Sequence, residues 1–278
     1  MKSLMDQITK IDSLDLVIDS YENTASCNDF IWQLFTDKTN EIKFLKKHRE
    51  YVEANNLGFG DRAFHYMWYL LLSKLFENKT SPNLLEIGVY KGQVISLWEI
   101  IAQKLGHDIN IHAISPFSGN INTSFFTNNH FLKIVRKLLS KSFREDLKLG
   151  NMHPKLDYLK INENLFSHFG LSFNKVNKHI GLSNDFSVLE KVGSKRFDIV
   201  YIDGNHRYDV VKMDIYNYSP LVNPNGYLVM DDASYFLPGS IFWKGYKEVS
   251  KACNEIENLG FKNVLNVGHN RVYRRISV

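Results

Sequence analysis

Apolar residues recur along the chain with two different spacings, and the change between them divides the sequence near residue 80. Before that point the apolar positions fall on one face of a helix, as at Leu14 with Val17 and at Leu45 with Val52. After it, short apolar runs of strand length alternate with stretches of helical spacing. This order predicts a helical N-terminal extension over residues 1–80, packed on an α/β domain that covers residues 81–278.

The short apolar runs of the second part are predicted as strands, and the segments between them as helices. The predicted strands cover residues 84–87, 110–114, 176–180, 197–202, 226–230, 263–267 and 271–276. Helices are predicted over residues 62–77, 94–101, 131–149, 158–169, 208–218 and 246–259, with a helical insertion at about 120–160. Such alternation is typical of a doubly wound, mostly parallel sheet, whose ligands collect at the carboxyl ends of the strands.

The stretch from Asn83 to Gln93 combines a buried strand, a glycine turn and a helix start. Gly88 and Gly92 allow a ligand to come close to the backbone, and the free N–H groups at the helix start favour an anionic or carboxylate-bearing partner. The Gly-x-x-x-Gly spacing differs from that of nicotinamide or flavin sites and from that of a P-loop. The pattern therefore predicts a nucleotide-type site, although the same glycines also fit a tight turn with nothing bound.

Three carboxylates follow two neighbouring strands of the predicted sheet. Asp203 closes one strand, and Asp231 and Asp232 close the next, with a single helix between them. Because a strand-helix-strand crossover is right-handed and usually joins neighbours, these ends should lie on the same rim as Gly88. Unpaired carboxylates would raise each other's pKa, so we expect a divalent cation, Mg²⁺ or else Ca²⁺ or Mn²⁺. The alternative is that these aspartates only cap turns and helices.

An acidic residue, Glu86, precedes the first glycine by two positions, and here the stretch resembles the first motif of class I S-adenosylmethionine (SAM)-dependent methyltransferases. The resemblance implies a seven-stranded, Rossmann-like methyltransferase fold that binds SAM. Ser115 stands where most of these enzymes have an acid for the ribose hydroxyls, so either Ser115 holds the ribose more weakly or this strand is misaligned. The cofactor contacts that the resemblance implies are Glu86, Gly88, Tyr90, Gly92, Gln93, Ser115, Pro116, Ser183, Asn184 and Asp185.

The run from Ile202 to Tyr208 is similar to the Ile-Asp-Gly-Asp-His-x-Tyr signature of a bacterial branch of these methyltransferases, and the run from Gly226 to Asp232 resembles that branch's next strand. This resemblance implies O-methylation of a hydroxyl on a sugar, a glycan precursor or a similar polar small molecule. It also implies that Asp203, Asp231 and Asp232 hold a metal. Asp203 and His206 are the candidate catalytic residues, with His206 as general base; alternatively, His206 only orients Asp203 or packs on Tyr208.

Two other interpretations keep the fold and change the function. A metal-independent methyltransferase would use the aspartates for structure alone. A binding or scaffold protein with a degenerate cofactor pocket would account for Ser115. These alternatives stay open because a fold does not fix a reaction.

The composition favours a globular protein. Hydrophobic residues make up 44% of the chain and charged residues 23%, and a net charge of +4 does not imply a nucleic-acid partner. Basic residues on the predicted helix 131–149 form either a solvated face or a lid over the acceptor that attracts a phosphorylated or otherwise acidic substrate, such as a phosphorylated sugar. Cys27 and Cys253 have no metal-like spacing, and no apolar run is long enough to span a membrane, so we expect a cytoplasmic enzyme. The sequence leaves open the identity of the acceptor and whether the protein is a homo-oligomer.

Overall fold

Helices precede the first strand of the sheet in the chain. The computed structural model describes residues 13–119 and 140–276. Its N-terminal helices are α1 (Leu14–Ser20), α2 (Ala25–Glu41), α3 (Lys43–Ala54) and α4 (Ala63–Phe76). Asp61 lies just before α4, and its Oδ1 accepts a hydrogen bond of 3.1 Å from the N–H of Ala63. This contact satisfies one of the free N–H groups at the start of the helix.

One sheet forms the centre of the described structure. Its strands are β1 (Asn83–Ile87), β2 (Asn110–Ser115), β3 (Asn177–Ile180), β4 (Phe197–Ile202), β5 (Val222–Met230), β6 (Phe261–Val267) and β7 (Asn270–Arg275). Their order is β3-β2-β1-β4-β5-β7-β6, with β1 to β5 parallel and β7 antiparallel to both of its neighbours. The predicted doubly wound, mostly parallel seven-stranded sheet is confirmed.

Helices connect these strands and cover both faces of the sheet. They are α5 (Gln93–Leu105), α6 (Lys141–Lys148), α7 (Tyr158–His168), α8 (Phe186–Gly193), α9 (Tyr208–Tyr218) and α10 (Lys247–Ala252). Of the predicted helix 131–149, only its last part lies within the described residues, where α6 is found; residues 120–139 lie outside them. None of the helices in residues 13–119 and 140–276 is long and apolar enough to cross a membrane.

Two element boundaries differ from the prediction. The strand predicted from residue 226 begins at Val222 as β5, and it contains an irregularity where the register against β4 shifts and Asn225 has a φ of 63°. The tail helix ends at Ala252 instead of Leu259 and gives way to short 3₁₀ turns. Cys253 and Ile256, both buried, are three residues apart, and the tighter 3₁₀ turn keeps both of them facing the core.

The core consists of two hydrophobic layers, one on each face of the sheet. Neighbouring strand residues alternate between them, so that Leu84 joins the layer of the N-terminal helices and Leu85 joins the layer of α8 to α10. In the first layer Trp68 of α4 contacts Trp98 of α5 and Tyr201 of β4 edge-to-face, with ring centroids 5.0 and 5.1 Å apart. The helices before residue 80 thus belong to the core that supports the sheet.

A buried histidine pair links three of these helices. Nδ1 of His48 lies 3.0 Å from Nε2 of His65, and Nε2 of His48 lies 3.0 Å from the hydroxyl of Ser96. That hydroxyl donates to the carbonyl of Gln93, so it accepts from His48 Nε2, and His65 Nε2–H donates to His48 Nδ1. Both rings are therefore neutral, and burial lowers the pKa of His48 to about 3 and that of His65 well below its ordinary value.

Acidification should destabilise the fold through this pair. Because the unfolded chain binds protons that folded His48 excludes, stability is full above about pH 6.5 and is lost as the pH falls towards 3. We expect His48 alone to lower the free energy of unfolding by about 2 kcal/mol between about pH 6.5 and about pH 5. Urea unfolding at several pH values measures this loss. His48→Gln should show a shallower slope, and equal slopes in the two proteins would contradict the neutral pair.

Candidate active site

The carboxyl ends of three central strands form one rim, and a cavity of about 820 Å³ opens there. The last residues of β1, β4 and β5 are paired in register, Ile87 with Ile202 and Ile202 with Met230. Hydrogen bonds continue one step beyond the strands, from Asp203 N–H to Ile87 O (2.9 Å) and from Asp231 N–H to Ile202 O (3.0 Å). Gly88, Asp203 and Asp231 are therefore neighbours at one edge of the sheet, as the crossover rule predicts.

The glycine turn owes its shape to the close approach of backbone. Gly88 has a φ of +100°, and a Cβ atom placed on it would lie only 1.9 Å from the carbonyl oxygen of Asp203. Gly92 has a φ of +84° and caps the start of α5. Both residues line the cavity together with Tyr90 and Gln93. The N–H groups at the start of α5 thus lie beside the cavity, where an anionic group can meet them.

Glu86 supplies a buried carboxylate to the cavity wall. It accepts a hydrogen bond from the backbone of Ile95, while its Oε2 has no hydrogen-bond partner in residues 13–119 and 140–276. Burial, and after it the charge of Asp231, raises the pKa of Glu86 well above its ordinary value. A buried oxygen without a partner is costly, so a ligand that donates a hydrogen bond or carries a positive charge would fit this position.

Most of the other predicted cofactor residues lie in the same cavity. Ser115, Pro116, Ser183 and Asn184 line it, and Ser115 Oγ also accepts a hydrogen bond of 3.2 Å from the N–H of Phe117. Asp185 is the exception: it does not line the cavity formed by the described residues, and its Oδ2 accepts from the N–H of Leu182 at 2.7 Å. Asp185 therefore closes its own turn before α8, which is a common use of Asp in loops.

The three predicted metal-binding aspartates meet in the cavity. Burial and the charge of Asp231 raise the pKa values of Asp203 and Asp232 well above the ordinary range. Burial is the largest influence on Asp231 and would raise its pKa as well, but the charge of His269 together with side-chain contacts from His269, Asp203 and Tyr201 lowers it overall. Asp232 has a φ of 53°, an unusual backbone conformation for a residue with a side chain. Repelling carboxylates and local strain of this kind are typical of functional sites.

His206 is held by contacts with four other residues. Its Nδ1 lies 2.5 Å from the carbonyl oxygen of Leu149, so Nδ1 carries the proton and Nε2 carries the lone pair. Nε2 lies 3.2 Å from Oδ2 of Asp232, and the ring stacks on Tyr246 with centroids 4.5 Å apart. The N–H of His206 donates to Oδ1 of Asn151 at 3.0 Å. Burial lowers the pKa of His206, which keeps the ring neutral and able to accept a proton.

Two groups of residues in this site could not be identified from the sequence. One is His269, in the turn between β6 and β7, whose Nε2 lies 3.2 Å from Oδ1 of Asp231. The other is the end of the insertion, where Asp146 pairs with Arg207 (Nε to Oδ1, 2.8 Å) and Asn151 binds the backbone of His206. Neither group shows a metal-like or catalytic spacing; only the order of the strands, with β7 next to β5, would have indicated His269.

The residues present fit both groups that the sequence suggests. For a divalent cation, Asp231, Asp232 and His269 each offer a ligand atom, and these atoms lie within 4.8 Å of one another. For SAM, the glycine turn and the unpartnered oxygen of Glu86 offer donors and an acceptor in a cavity large enough for such a ligand. The assigned roles of the individual residues stay predictions.

The chain resembles methyltransferases in sequence profile and in structure. Residues 85–233, just over half of the chain, match a family profile described as "Methyltransferase domain". No curated protein matches the chain in sequence. The O-methyltransferase NovP superposes with a TM-score of 0.54 at 15% identity, over 77% of this chain and 79% of that one.

Two further solved structures share the fold. An O-methyltransferase from Bacillus cereus, in complex with SAH, gives a TM-score of 0.51 at 13% identity, over 88% of this chain and 98% of that one. A methyltransferase of Podospora anserina, also bound to SAH, gives 0.50 at 12% identity, over 84% and 87%. At these identities the likeness shows the fold and does not identify a substrate.

Proposed function

The chain belongs to the methyltransferase-domain family, and from that premise we propose that it transfers a methyl group from SAM to a hydroxyl of a polar small molecule. A sugar or a glycan precursor is the acceptor class that the signature around Asp203 suggests. We propose in addition that a divalent cation assists the transfer. With two free cysteines and no disulfide in the described residues, the reducing cytoplasm is the compartment we assign.

One observation supports this proposal above the others: a cofactor-type glycine turn and a set of acidic residues share one cavity. Gly88, Asp203 and Asp231 follow strand ends that are paired in register, so the distance between the two parts of the site is fixed by the sheet. A scaffold protein would have no need for buried carboxylates that repel each other at the same rim.

The residues around His206 would perform the proton transfer. SAM, when bound, supplies a methyl group on a positively charged sulfur and leaves as SAH. The acceptor oxygen forms the new bond to the methyl carbon and gives up its proton, which Nε2 of His206 is free to accept because Nδ1 is already protonated. The stacked ring of Tyr246 and the contact with Leu149 hold the imidazole in one orientation.

The acidic residues would hold the cation. A divalent metal, when bound, lowers the pKa of a hydroxyl that it coordinates. Asp231 and Asp232 offer carboxylate oxygens, and Asp203 lies against Asp231 within the same buried group. Mg²⁺ is the ion expected from carboxylates alone. A metal-independent methyltransferase remains the alternative and would require these carboxylates to stay protonated or paired.

Aromatic rings form much of the remaining cavity wall. Phe59 stacks on Tyr90, with centroids 5.4 Å apart, and Tyr90 also contacts His153 and Tyr158. Flat apolar walls with a few polar groups are usual in small-molecule sites and suit the C–H face of a sugar ring. Phe59 comes from the N-terminal extension, and its loop is held by Arg49, whose guanidinium donates to the carbonyls of residues 59 and 60.

Calorimetric titration with SAM, with and without Mg²⁺, tests both parts of the proposal. We expect binding heat for SAM alone, and a change in heat or affinity when the metal is present. Heat for SAM that metal does not alter would favour the metal-independent enzyme. An absence of heat under both conditions would favour a binding protein with a degenerate pocket and would contradict the proposed function.

Removing the amide of Asn151 should slow the reaction more than it weakens cofactor binding. The Asn151 side chain accepts from the N–H of His206 and donates to Asn205 and Asp146, so Asn151→Ala loosens the turn that carries the proposed base. With an acceptor found by screening for SAM-dependent release of SAH, we expect kcat to fall by about 10- to 100-fold. The affinity for SAM should change less than about twofold.

Asn223→Ala is the matched control for Asn151→Ala. Asn223 also forms a side-chain amide contact, to Asp198, but it lies at the amino end of β5, away from the rim. Its substitution should leave kcat unchanged. If Asn151→Ala also left kcat unchanged, the end of the insertion would have no part in orienting His206.

A further inference from the structure

His269 lies among the carboxylates of the cavity, although its place in the chain is far from theirs. It sits in the tight turn between β6 and β7 and is 3% exposed. The antiparallel pairing of β7 with β5 brings this turn to the rim, where the carbonyl of His269 accepts from the N–H of Ala233 at 2.8 Å. The backbone next to Asp232 thus fixes the position of the imidazole.

The contact between His269 and Asp231 is close but is not a hydrogen bond. Nε2 lies 3.2 Å from Oδ1 of Asp231, yet this buried oxygen has no hydrogen-bond partner within the described ranges. The two atoms are therefore close enough to share an ion, without either pointing directly at the other. Together with an oxygen of Asp232 they form a group of three ligand atoms within 4.8 Å of each other.

Behind the imidazole stands a second carboxylate, from the N-terminal segment. Oδ2 of Asp61 lies 3.5 Å from Nδ1 of His269, at ion-pair distance, although the geometry within the described residues is not that of a hydrogen bond. Asp61 is itself held by the indole N–H of Trp32 at 2.7 Å and by the N–H of Ala63 at 3.1 Å. A carboxylate on the far nitrogen of a histidine is the usual support for a histidine that binds metal through its other nitrogen.

The turn is shaped so that it can approach this carboxylate. Gly268 has a φ of +59°, and a Cβ atom there would lie 2.7 Å from Oδ2 of Asp61 and 3.0 Å from the ring of Trp32. A side chain at this position would push His269 away from Asp61. The sequence thus keeps the imidazole between two carboxylates, one on each side.

We propose that His269 is a metal ligand through Nε2, and that the mixed set of Asp231, Asp232 and His269 prefers a transition-metal dication such as Mn²⁺ to Mg²⁺. This inference rests on the proposed function in so far as the same cation would assist methyl transfer. Imidazole nitrogen is a poor ligand for Mg²⁺ and a good one for the first-row transition metals. The nitrogen donor therefore changes the ion expected from the aspartates alone.

Pulsed electron paramagnetic resonance of the full chain loaded with Mn²⁺ tests this proposal without an acceptor. We expect a ¹⁴N coupling typical of a directly bound imidazole in the natural protein and in His206→Asn. The coupling should be lost in His269→Gln, together with about tenfold or more of the Mn²⁺ affinity, whereas the Mg²⁺ affinity should change much less. Calorimetry with each metal alone measures these affinities.

A second variant keeps the test decisive if His269→Gln does not fold. Asp61→Asn leaves the ligand atoms in place and removes the charge behind the imidazole, so it should keep the ¹⁴N coupling and lose about 10- to 100-fold of the Mn²⁺ affinity. Bound Mn²⁺ without nitrogen coupling, coupling that disappears only in His206→Asn, or no binding of Mn²⁺ would each overturn the proposal.

The test separates this inference from the proposed function. Titration with SAM in the presence of a chelator reports the cofactor site alone. If SAM binds but Mn²⁺ shows no nitrogen coupling, His269 is not a ligand and the methyltransferase proposal stands. If Mn²⁺ shows the coupling but SAM does not bind, the metal site stands and the proposed reaction fails.

Discussion

Gly88→Ala should lower the free energy of unfolding by about 3 kcal/mol or more and abolish the binding of SAM. The added Cβ would lie 1.9 Å from the carbonyl oxygen of Asp203, which belongs to the backbone and cannot rotate away. Relief requires β1 and β4 to separate where their carboxyl ends meet, and the residue must in addition hold a φ of +100°. Overpacking and a left-handed conformation each cost on the order of 1–3 kcal/mol. Denaturant unfolding and SAM calorimetry measure the two effects.

Substitutions at two other glycines separate the cost of the backbone conformation from the cost of the steric clash at Gly88. Gly106 has a φ of +75° with nothing within 4 Å of an added Cβ, so Gly106→Ala should show the backbone strain alone, about 1 kcal/mol. Gly193, at the end of α8, has neither a positive φ nor a close neighbour, and Gly193→Ala should be neutral or slightly stabilising. A loss at Gly88 no larger than the loss at Gly106 would mean that the rim tolerates the extra atom.

The rim itself could be predicted because its residues obey rules that a sequence displays. Short apolar runs identify the strands, and each of Gly88, Asp203 and Asp231 directly follows one of them. Parallel neighbours end on the same side of a sheet, so the positions of these residues follow from the crossover rule alone. The observed pairing of Ile87 with Ile202 and of Ile202 with Met230 agrees with that prediction.

His269 and Asn151 could not be predicted in the same way. His269 reaches the rim through an antiparallel hairpin at the end of the chain, and its contact with Asp231 spans 38 positions of sequence without any periodic pattern. Asn151 binds the backbone of His206, and the backbone carries no side-chain signal. Contacts of this type depend on loop geometry, which the spacing of apolar residues does not encode.

Asp185 is a predicted cofactor contact that instead binds the backbone of its own turn. A polar loop after β3 is where a cofactor contact is expected, but a short acidic side chain can also bind the N–H groups of its own turn. Here the carboxylate accepts from Leu182 at 2.7 Å, and only Ser183 and Asn184 of the predicted trio line the cavity. Local hydrogen bonding and ligand binding use the same residue types, so sequence alone does not separate them.

Asp203→Asn should stabilise the metal-free protein and at the same time weaken the binding of a divalent cation by about 10- to 100-fold, because Asp203 lies against the ligand Asp231. Burial and the charges of Asp231, Asp232 and Glu86 all raise the pKa of Asp203, so its carboxylate form is unfavourable in the folded state. An amide of the same shape removes that repulsion. We expect a gain of about 1 kcal/mol or more, which raises Tm by a few degrees in a protein of this size.

The stability gained by Asp203→Asn should increase as the pH rises. A carboxyl whose folded pKa is raised contributes stability at low pH, and the contribution is lost as the pH rises above its ordinary value of 3.8. In the presence of a chelator, the difference between Asp203→Asn and the natural protein should therefore widen from about pH 5 to about pH 8. Added metal should reverse the order, because the natural carboxylates then pair with the cation.

Asp198→Asn is the control for Asp203→Asn. Asp198 is a buried aspartate of β4 at the end of the strand opposite Asp203, where Lys79 pairs with it at 2.8 Å and the N–H of Asn83 donates to it at 3.0 Å. Removing the charge of one partner from a buried ion pair leaves the other partner without its counter-charge, so this substitution should lower Tm and leave metal affinity unchanged. If both substitutions lowered Tm, Asp203 would also be a structural residue, and its burial among other acids would have no explanation in metal binding.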